Sequence, residues 1–297
     1  MRELPGYLLF RAMSGLFGVL PERMMRRSGE LMGRLASYAS RRKFRLLRSH
    51  LQRVLGPVPD LDRRVRGMYA SYGRYWAEVF WMRPRRKNSI VRHASVEGIE
   101  HLRAAQDAGK GIVFALPHLG NWEMAGAKAE EIGMPVLAVA EALPNRRITD
   151  WFIDVRRQLG IEVAIAGRGR RVSERLLRCL RSGGTIALLA DRDLTGRGIE
   201  VEFFGERTTI PAGPVSLADR TGAALLPIGC YFKPGRGHVF VVFPPIPLPQ
   251  GEDRAERLSE GAQRLTDVME DVIRAAPEQW HLFQPNWPSD GWAASDP

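Results

Sequence analysis

The sequence predicts an α/β fold: a largely parallel sheet covered by helices on both faces, preceded by a helical, basic N-terminal part. Three observations predict it. Short apolar runs of strand length alternate with helix-length segments from about residue 97 onward, the pattern of strands joined by helical crossovers. Residues 1–96 instead repeat apolar residues at three- and four-residue intervals, which is helical spacing. Finally, 297 residues can bury a substantial core, and no repeat, low-complexity tract or long linker divides them. We therefore expect one domain over 1–297, with a helical part at 1–96 and an α/β core at 97–297.

In chain order, helices are expected at 5–20, 21–37, 41–55 and 60–80, the last two separated by Gly56-Pro57-Val58-Pro59. Residues 83–88 read as a basic loop. Strands follow at 111–116, 136–140, 162–166, 185–190, 200–204, 223–232 and 238–244, and helices at 123–132, 147–159, 171–181 and 214–221. A last helix at 252–275 packs back on the sheet.

Charge is segregated along the chain. Residues 1–100 contain 21 Lys+Arg against 8 Asp+Glu, and the other 197 contain 23 against 25. A basic first third suits an anionic membrane surface or nucleic acid. No zinc-finger spacing or RNP-like aromatic motif is present, so nucleic acid is not the expected partner. The stretch 5–20 is apolar apart from Arg11 and a few small residues. It is too short to span a bilayer, and Leu9, Met13, Leu16 and Leu20 recur at helical spacing before Arg23, Arg26 and Arg27. This predicts an interfacial helix with arginines facing anionic lipid, compatible with partial packing on the protein's own core. The basic cluster follows the apolar run and no cleavage site is evident, so a secretory signal is not expected. Cys179 and Cys230 lie far apart without CxxC spacing, giving no disulfide scaffold or zinc site. The expected location is peripheral or monotopic on the cytoplasmic face of the cell membrane.

Of six histidines, only His118 has a carboxylate five residues downstream, Glu123. An apolar strand-like run stops at Pro117 and a helix-like pattern starts near Asn121, so the pair falls beyond the carboxyl end of a strand, where α/β sheets bind ligands. Glu123 in the first turn can accept Nδ1–H of His118 and leave Nε2 free as a base; a capping carboxylate beside a solvent-facing histidine is the plainer alternative. No G-x-S-x-G elbow, Walker A loop, H-E-x-x-H helix or G-x-G-x-x-G after a strand occurs. Gly167-Arg168-Gly169-Arg170 reads as a basic loop. Without a protein nucleophile, His118 has to deprotonate a substrate hydroxyl, which points to group transfer onto an alcohol. Asp191-Arg192-Asp193 follows another strand and can converge on the same cleft. Asp191 can hold the imidazolium and Arg192 can face an oxyanion or phosphate; a salt-bridged turn is the alternative. Phe203 can line an apolar channel or belong to the core.

His118-Leu-Gly-Asn-Trp-Glu123 resembles the H-x4-[D/E] block of the lipid A biosynthesis-type (lysophospholipid acyltransferase-like) acyltransferases in its fuller form H-x-G-N-W-E. Further blocks follow in order: Arg156-x3-Gly160, Asp191-x-Asp193, Phe203-Phe-Gly205, Pro214-x2-Leu217-Ala218 and Pro277-Glu-Gln-Trp280. The resemblance runs from about residue 1 to 287. It implies an αβα sandwich that moves an acyl chain from a thioester to a hydroxyl of a membrane glycolipid. The F-P-E-G-x-R block of glycerophosphate acyltransferases is absent, and Phe283-Gln-Pro-Asn-Trp287 stands where lipid A enzymes end in H-R-R-W. With the arginine-rich composition, this ending is most similar to the actinobacterial phosphatidylinositol mannoside acyltransferases. That branch implies palmitoyl-CoA as co-substrate, a mannose hydroxyl as acceptor, and neither cofactor nor metal. Under this reading His118, Glu123 and Asp191 are catalytic, while Asn121, Trp122, Arg156, Arg192 and Phe203 contact substrate. The alternatives are a lipid A-type lauroyl or myristoyl acyltransferase and a non-enzymatic protein binding anionic membranes.

Overall fold

A computed structural model describes residues 4–166 and 170–291. Helices α1 (Leu4–Val19), α2 (Glu22–Ala36), α3 (Arg41–Leu55), α4 (Leu61–Trp81) and α5 (Lys87–Arg92) come first. They are followed by β1 (Ala94–Glu97), α6 (Ile99–Asp107), β2 (Ile112–Leu116), α7 (Trp122–Glu131), β3 (Val136–Ala140), α8 (Arg146–Gln158) and β4 (Glu162–Ile165). Next come α9 (Arg170–Arg181), β5 (Thr185–Leu189), β6 (Ile199–Phe203), β7 (Glu206–Ile210), α10 (Gly213–Thr221), β8 (Ala224–Phe232), β9 (His238–Val242) and α11 (Arg254–Arg274).

Among the described residues, seven strands form one sheet in the order β1-β9-β8-β2-β5-β3-β4. Every neighbouring pair is parallel except β8 and β9, which form an antiparallel pair. The sheet is sandwiched. Alternate residues of β2 point into two separate apolar clusters: Val113 and Ala115 into one with α9, α10 and α11, Ile112, Phe114 and Leu116 into the other with α6, α7 and α8. All five β2 residues are buried, as expected of a strand covered on both sides. Local capping agrees with these elements. Ser40 accepts from Lys43 N at the start of α3, and Asp253 accepts from Ala255 N and Glu256 N at the start of α11.

Several sequence expectations need correction. The basic stretch 83–88 is not a loop: residues 84–86 make a 3₁₀ turn and α5 follows at once. Strand β6 does not join the main sheet; it pairs antiparallel with β7, which the reading missed, as a two-stranded ribbon. Its two-residue turn, Phe204 and Gly205, has φ values of 51° and 76°. Two left-handed residues fit the tight, strand-matched turn of a hairpin, which accounts for the Phe-Phe-Gly block. Strand β1 was also missed. It is four residues long, lies at the sheet edge and pairs only with β9. Positions 167–169 of the Gly-Arg-Gly-Arg stretch lie outside the described residues.

The N-terminal stripe is split rather than continuous. Leu9 and Leu16 are exposed, whereas Met13 and Leu20 are partly buried against the α6–α8 cluster. Arg26, expected to face lipid, is buried and bonded to Glu22 and Glu78. Leu4, Leu8, Leu9, Leu16 and Val19 of α1, with Met24, Leu31, Met32 and Leu35 of α2, remain exposed. No helix among the described residues is long and apolar enough to cross a membrane. Helices α2 and α4 cross at glycine: a Cβ on Gly33 would lie 2.1 Å from the Tyr69 carbonyl oxygen, and one on Gly73 2.1 Å from that of Gly29.

This crossing leaves no room for a methyl group. Gly33→Ala or Gly73→Ala should each destabilise the protein by about 1–3 kcal/mol through overpacking. Gly15→Ala on α1, where nothing lies within 4 Å of an added Cβ, should instead stabilise by up to ~1 kcal/mol through helix propensity. Thermal melts of the three variants check this, and equal shifts would contradict the close crossing.

Candidate active site

His118 sits two residues past the end of β2, on the turn that leads into α7. The turn is held tightly. Gly120 has φ +58°, and a Cβ there would lie 2.0 Å from the Cys230 carbonyl oxygen. Only glycine allows both the left-handed backbone and that approach. Asn121 closes the turn by accepting from Met124 N as the α7 cap.

The partner of His118 is Asp191, not Glu123. Asp191 follows β5, the neighbouring parallel strand, so both residues emerge at the same sheet end. Its Oδ1 lies 2.7 Å from His118 Nδ1, while its Oδ2 accepts from His118 N at 2.9 Å and Trp280 Nε1 at 2.8 Å. The carboxylate is buried. Burial pushes its pKa up, but His118, then Trp280 Nε1 and the His118 amide, outweigh that and hold it below the ordinary value. A carboxylate can only accept, so Nδ1 carries the hydrogen and Nε2 is left as the basic nitrogen. Nε2 has no hydrogen-bond partner among the described residues, and the ring meets the Trp122 ring edge-on at 5.4 Å.

Glu123 is instead paired with Arg156 of α8, which donates Nε to Oε2 at 2.7 Å and Nη2 to Oε1. Burial works to lower the Arg156 pKa, but the facing carboxylate reverses this and raises it. Both residues still border the cavity, but each is neutralised by the other. Asn121 is wholly buried and does not line the cavity; its Nδ2 donates to Glu78 Oε2 at 2.8 Å. Phe203 also misses the cavity. It lies in the core on the other side of the sheet, stacked on Phe204, with its carbonyl accepting from Trp287 Nε1 at 3.0 Å. Trp122 and Arg192 do line the cavity, and Arg192 has no side-chain partner among the described residues. Asp193 shapes the loop that carries Arg192. It accepts from Thr195 N, Thr195 Oγ1, Gly198 N and Thr209 Oγ1.

The cavity has a volume of about 650 Å³. It runs from His118 and Arg192 to an apolar interior walled by Leu102, Phe114, Leu116, Val136 and Phe240. Among the described residues, neither serine nor cysteine lines it, and no group of three or more His, Cys, Asp or Glu is placed to hold a metal ion. The arrangement is an imidazole with a free nitrogen on a largely apolar cavity that the unpaired guanidinium of Arg192 also lines.

Sequence reasoning missed Glu78, His281 and Tyr75. Glu78 accepts from Asn121, His238, Arg26 and Arg74, and is wholly buried. A lone acid inside the apolar stretch 75–81 was its only signal. His281 donates its amide to the His118 carbonyl oxygen at 2.6 Å, and its Nε2 lies 2.9 Å from Ser71 Oγ. Tyr75 stacks on Trp122 at 4.4 Å.

A family model described as bacterial lipid A biosynthesis acyltransferase matches residues 3–289. The chain is 42% identical over 249 residues to a phosphatidylinositol mannoside acyltransferase of Mycobacterium tuberculosis, covering 82% of this chain and 77% of that one. It is 39% identical over 289 residues to the protein of the same name from Mycolicibacterium smegmatis, covering 96% and 90%. A lipid A biosynthesis acyltransferase of Haemophilus influenzae is 24% identical over 201 residues, covering 66% and 59%.

Burial, and then the nearby His118, lower the His281 pKa to about 3 against a weaker opposing pull from Glu78. An unfolded histidine titrates near ~6.5, so below that pH the unfolded chain binds the extra proton first. Stability from a neutral His281 is therefore present above about 6.5 and lost as pH falls towards about 3. His281→Asn should flatten the decline in unfolding free energy between roughly pH 6.5 and 4.5, above the range where unfolded carboxylates titrate. Urea melts across that window test it; identical slopes in both proteins would count against the assignment.

Proposed function

The chain belongs to the bacterial lipid A biosynthesis acyltransferase family and is an acyltransferase; from that premise we propose that it moves a palmitoyl-type chain from acyl-CoA to a mannose hydroxyl of a phosphatidylinositol mannoside. The observation that carries this reading is the unpartnered Nε2 of His118 at the head of an apolar cavity lined by neither serine nor cysteine among the described residues. The acyl chain occupies the interior between Leu102, Phe114 and Phe240, which leaves its thioester carbonyl beside His118. The similarity to the two mycobacterial proteins supports the acceptor.

Transfer is direct, in a ternary complex. His118 Nε2 takes the proton of the mannose hydroxyl as that oxygen attacks the thioester carbon. The tetrahedral intermediate collapses with cleavage of the C–S bond, and the coenzyme A thiolate leaves. Its thiol has a pKa near ~8.5, so protonation by the imidazolium helps without being essential. Asp191 holds the ring and stabilises the imidazolium, and Arg192 is the candidate for the oxyanion or a phosphate. Glu123 and Arg156 neutralise each other at the cavity wall rather than touching the reacting atoms. The exposed apolar side chains of α1 and α2 support a peripheral or monotopic position on the cytoplasmic face of the membrane.

Labelled palmitoyl-CoA incubated with phosphatidylinositol mannoside should give an acylated glycolipid; release of free palmitate alone would sink the acceptor assignment. His118→Ala should lower kcat on the order of 10²–10⁴ with folding intact, and a wild-type rate would overturn the mechanism. Asp191→Asn should cost more activity than Glu123→Gln, because only Asp191 fixes the imidazole tautomer. The reverse ranking in folded proteins would return the orienting role to Glu123.

A further inference from the structure

A second cavity of about 440 Å³ lies outside the site described above, in the helical N-terminal part. It runs beside the α2–α4 glycine crossing, between Phe17, Met32, Ala36, Tyr69 and Phe283, and its lining is almost wholly apolar. Its volume falls within the range of ligand-sized pockets. Two features tie it to a lipid. Met32 is at once part of its wall and part of the exposed apolar face of α1 and α2, so the groove opens onto that face. At its rim sits Lys43, with Arg41, Arg42 and Arg45 exposed on the same first turns of α3, a charge that complements a phosphodiester head group. A third feature ties it to the reaction: Tyr72 and Trp76 line this groove and the His118 cavity alike.

We propose that this groove holds one acyl chain of the acceptor's phosphatidylinositol anchor, while the transferred chain occupies the His118 cavity. The inference rests on the glycolipid acceptor named above. Binding the anchor across the Tyr72–Trp76 wall draws one chain out of the bilayer and brings the glycan towards His118. The α3 arginines and Lys43 meet the phosphodiester at the membrane surface. The slot therefore selects acceptors that carry a diacylglycerol, which the reacting sugar alone does not provide.

Ala36 is exposed at the groove mouth and outside the catalytic residues, so Ala36→Trp fills the slot from the solvent side. Full-length wild-type protein on phosphatidylcholine vesicles containing phosphatidylinositol with a diazirine in one acyl chain should crosslink at Met32, Tyr69 or Phe283, read by peptide mass spectrometry. Ala36→Trp should abolish that label while α1 labelling persists. In kinetics, the variant should raise KM for the diacylated acceptor about tenfold or more, the loss expected when a few methylenes stay in water. It should leave the rate with the deacylated, water-soluble glycan unchanged. Labelling confined to the α1 leucines, or an equal effect on both acceptors, would overturn the proposal. The crosslink needs no turnover, so groove labelling by a protein that acylates neither acceptor would overturn the acceptor assignment and retain a phospholipid slot.

Discussion

The buried carboxylate of Asp191 is the interaction on which the site depends. An isolated carboxylate out of water costs several kcal/mol, and it persists only if its lone pairs are filled. Here His118 Nδ1, the His118 amide and Trp280 Nε1 fill them. Those donors come from the end of one strand and from the segment after the last helix, and Asn286 adds a bond to the Asp191 carbonyl oxygen at 3.3 Å. One charge thus draws β2, β5 and the C-terminal segment together. The same bonds that satisfy Asp191 fix the His118 imidazole, so under the proposed mechanism folding and the geometry of the base are a single requirement.

A second buried carboxylate, Glu78, works on the opposite side of the turn. Burial works against its ionisation, but His238, Arg74 and Arg26 overcome this and hold its pKa well below the ordinary range. Through Asn121 it fixes the start of α7, and through Arg26 and His238 it joins α2 and β9 to the same point. The four-residue turn from His118 to Asn121 is therefore clamped at each end by a different acid. Such support from surrounding residues is what keeps a base within reacting distance of a substrate. It also ties α2 and α4 to the turn that carries His118.

The parallel core was legible because its strands are short, apolar and punctuated by helices, and each of them reappears within a few residues. What failed was mostly set by contacts distant in sequence. The four residues of β1 carry little pattern because an edge strand pairs on one side only. The basic run 83–88 looked like loop on charge alone, whereas Arg83 bonds Ser14 and Arg86 lies over the Trp81 ring. At the site, local spacing offered Glu123 for the imidazole and the matching strand-end position offered Asp191; the neighbour is Asp191, 73 residues away past the end of the adjacent strand. Phe203 could not be placed, since an aromatic at the end of a strand reads alike whether it faces a cavity or a core.

The partition of the two acids follows from what each alternative would leave behind. Were Glu123 to turn to His118, the Arg156 guanidinium, which cannot lose its charge, would stay buried beside Tyr75 and Phe152 without an acceptor. Asp191 would at the same time hold a buried charge against one indole and one amide. The observed pairing matches the planar guanidinium to a bidentate carboxylate and the imidazole to the acid that also takes its own amide. Each acid is then balanced by its neighbour, while Arg192 and Arg197 both line the cavity without a side-chain partner among the described residues. Under the proposed transfer, a slot with these two acids paired and these two guanidinium groups left free along its lining suits an apolar chain whose reacting carbonyl gains negative charge in the transition state.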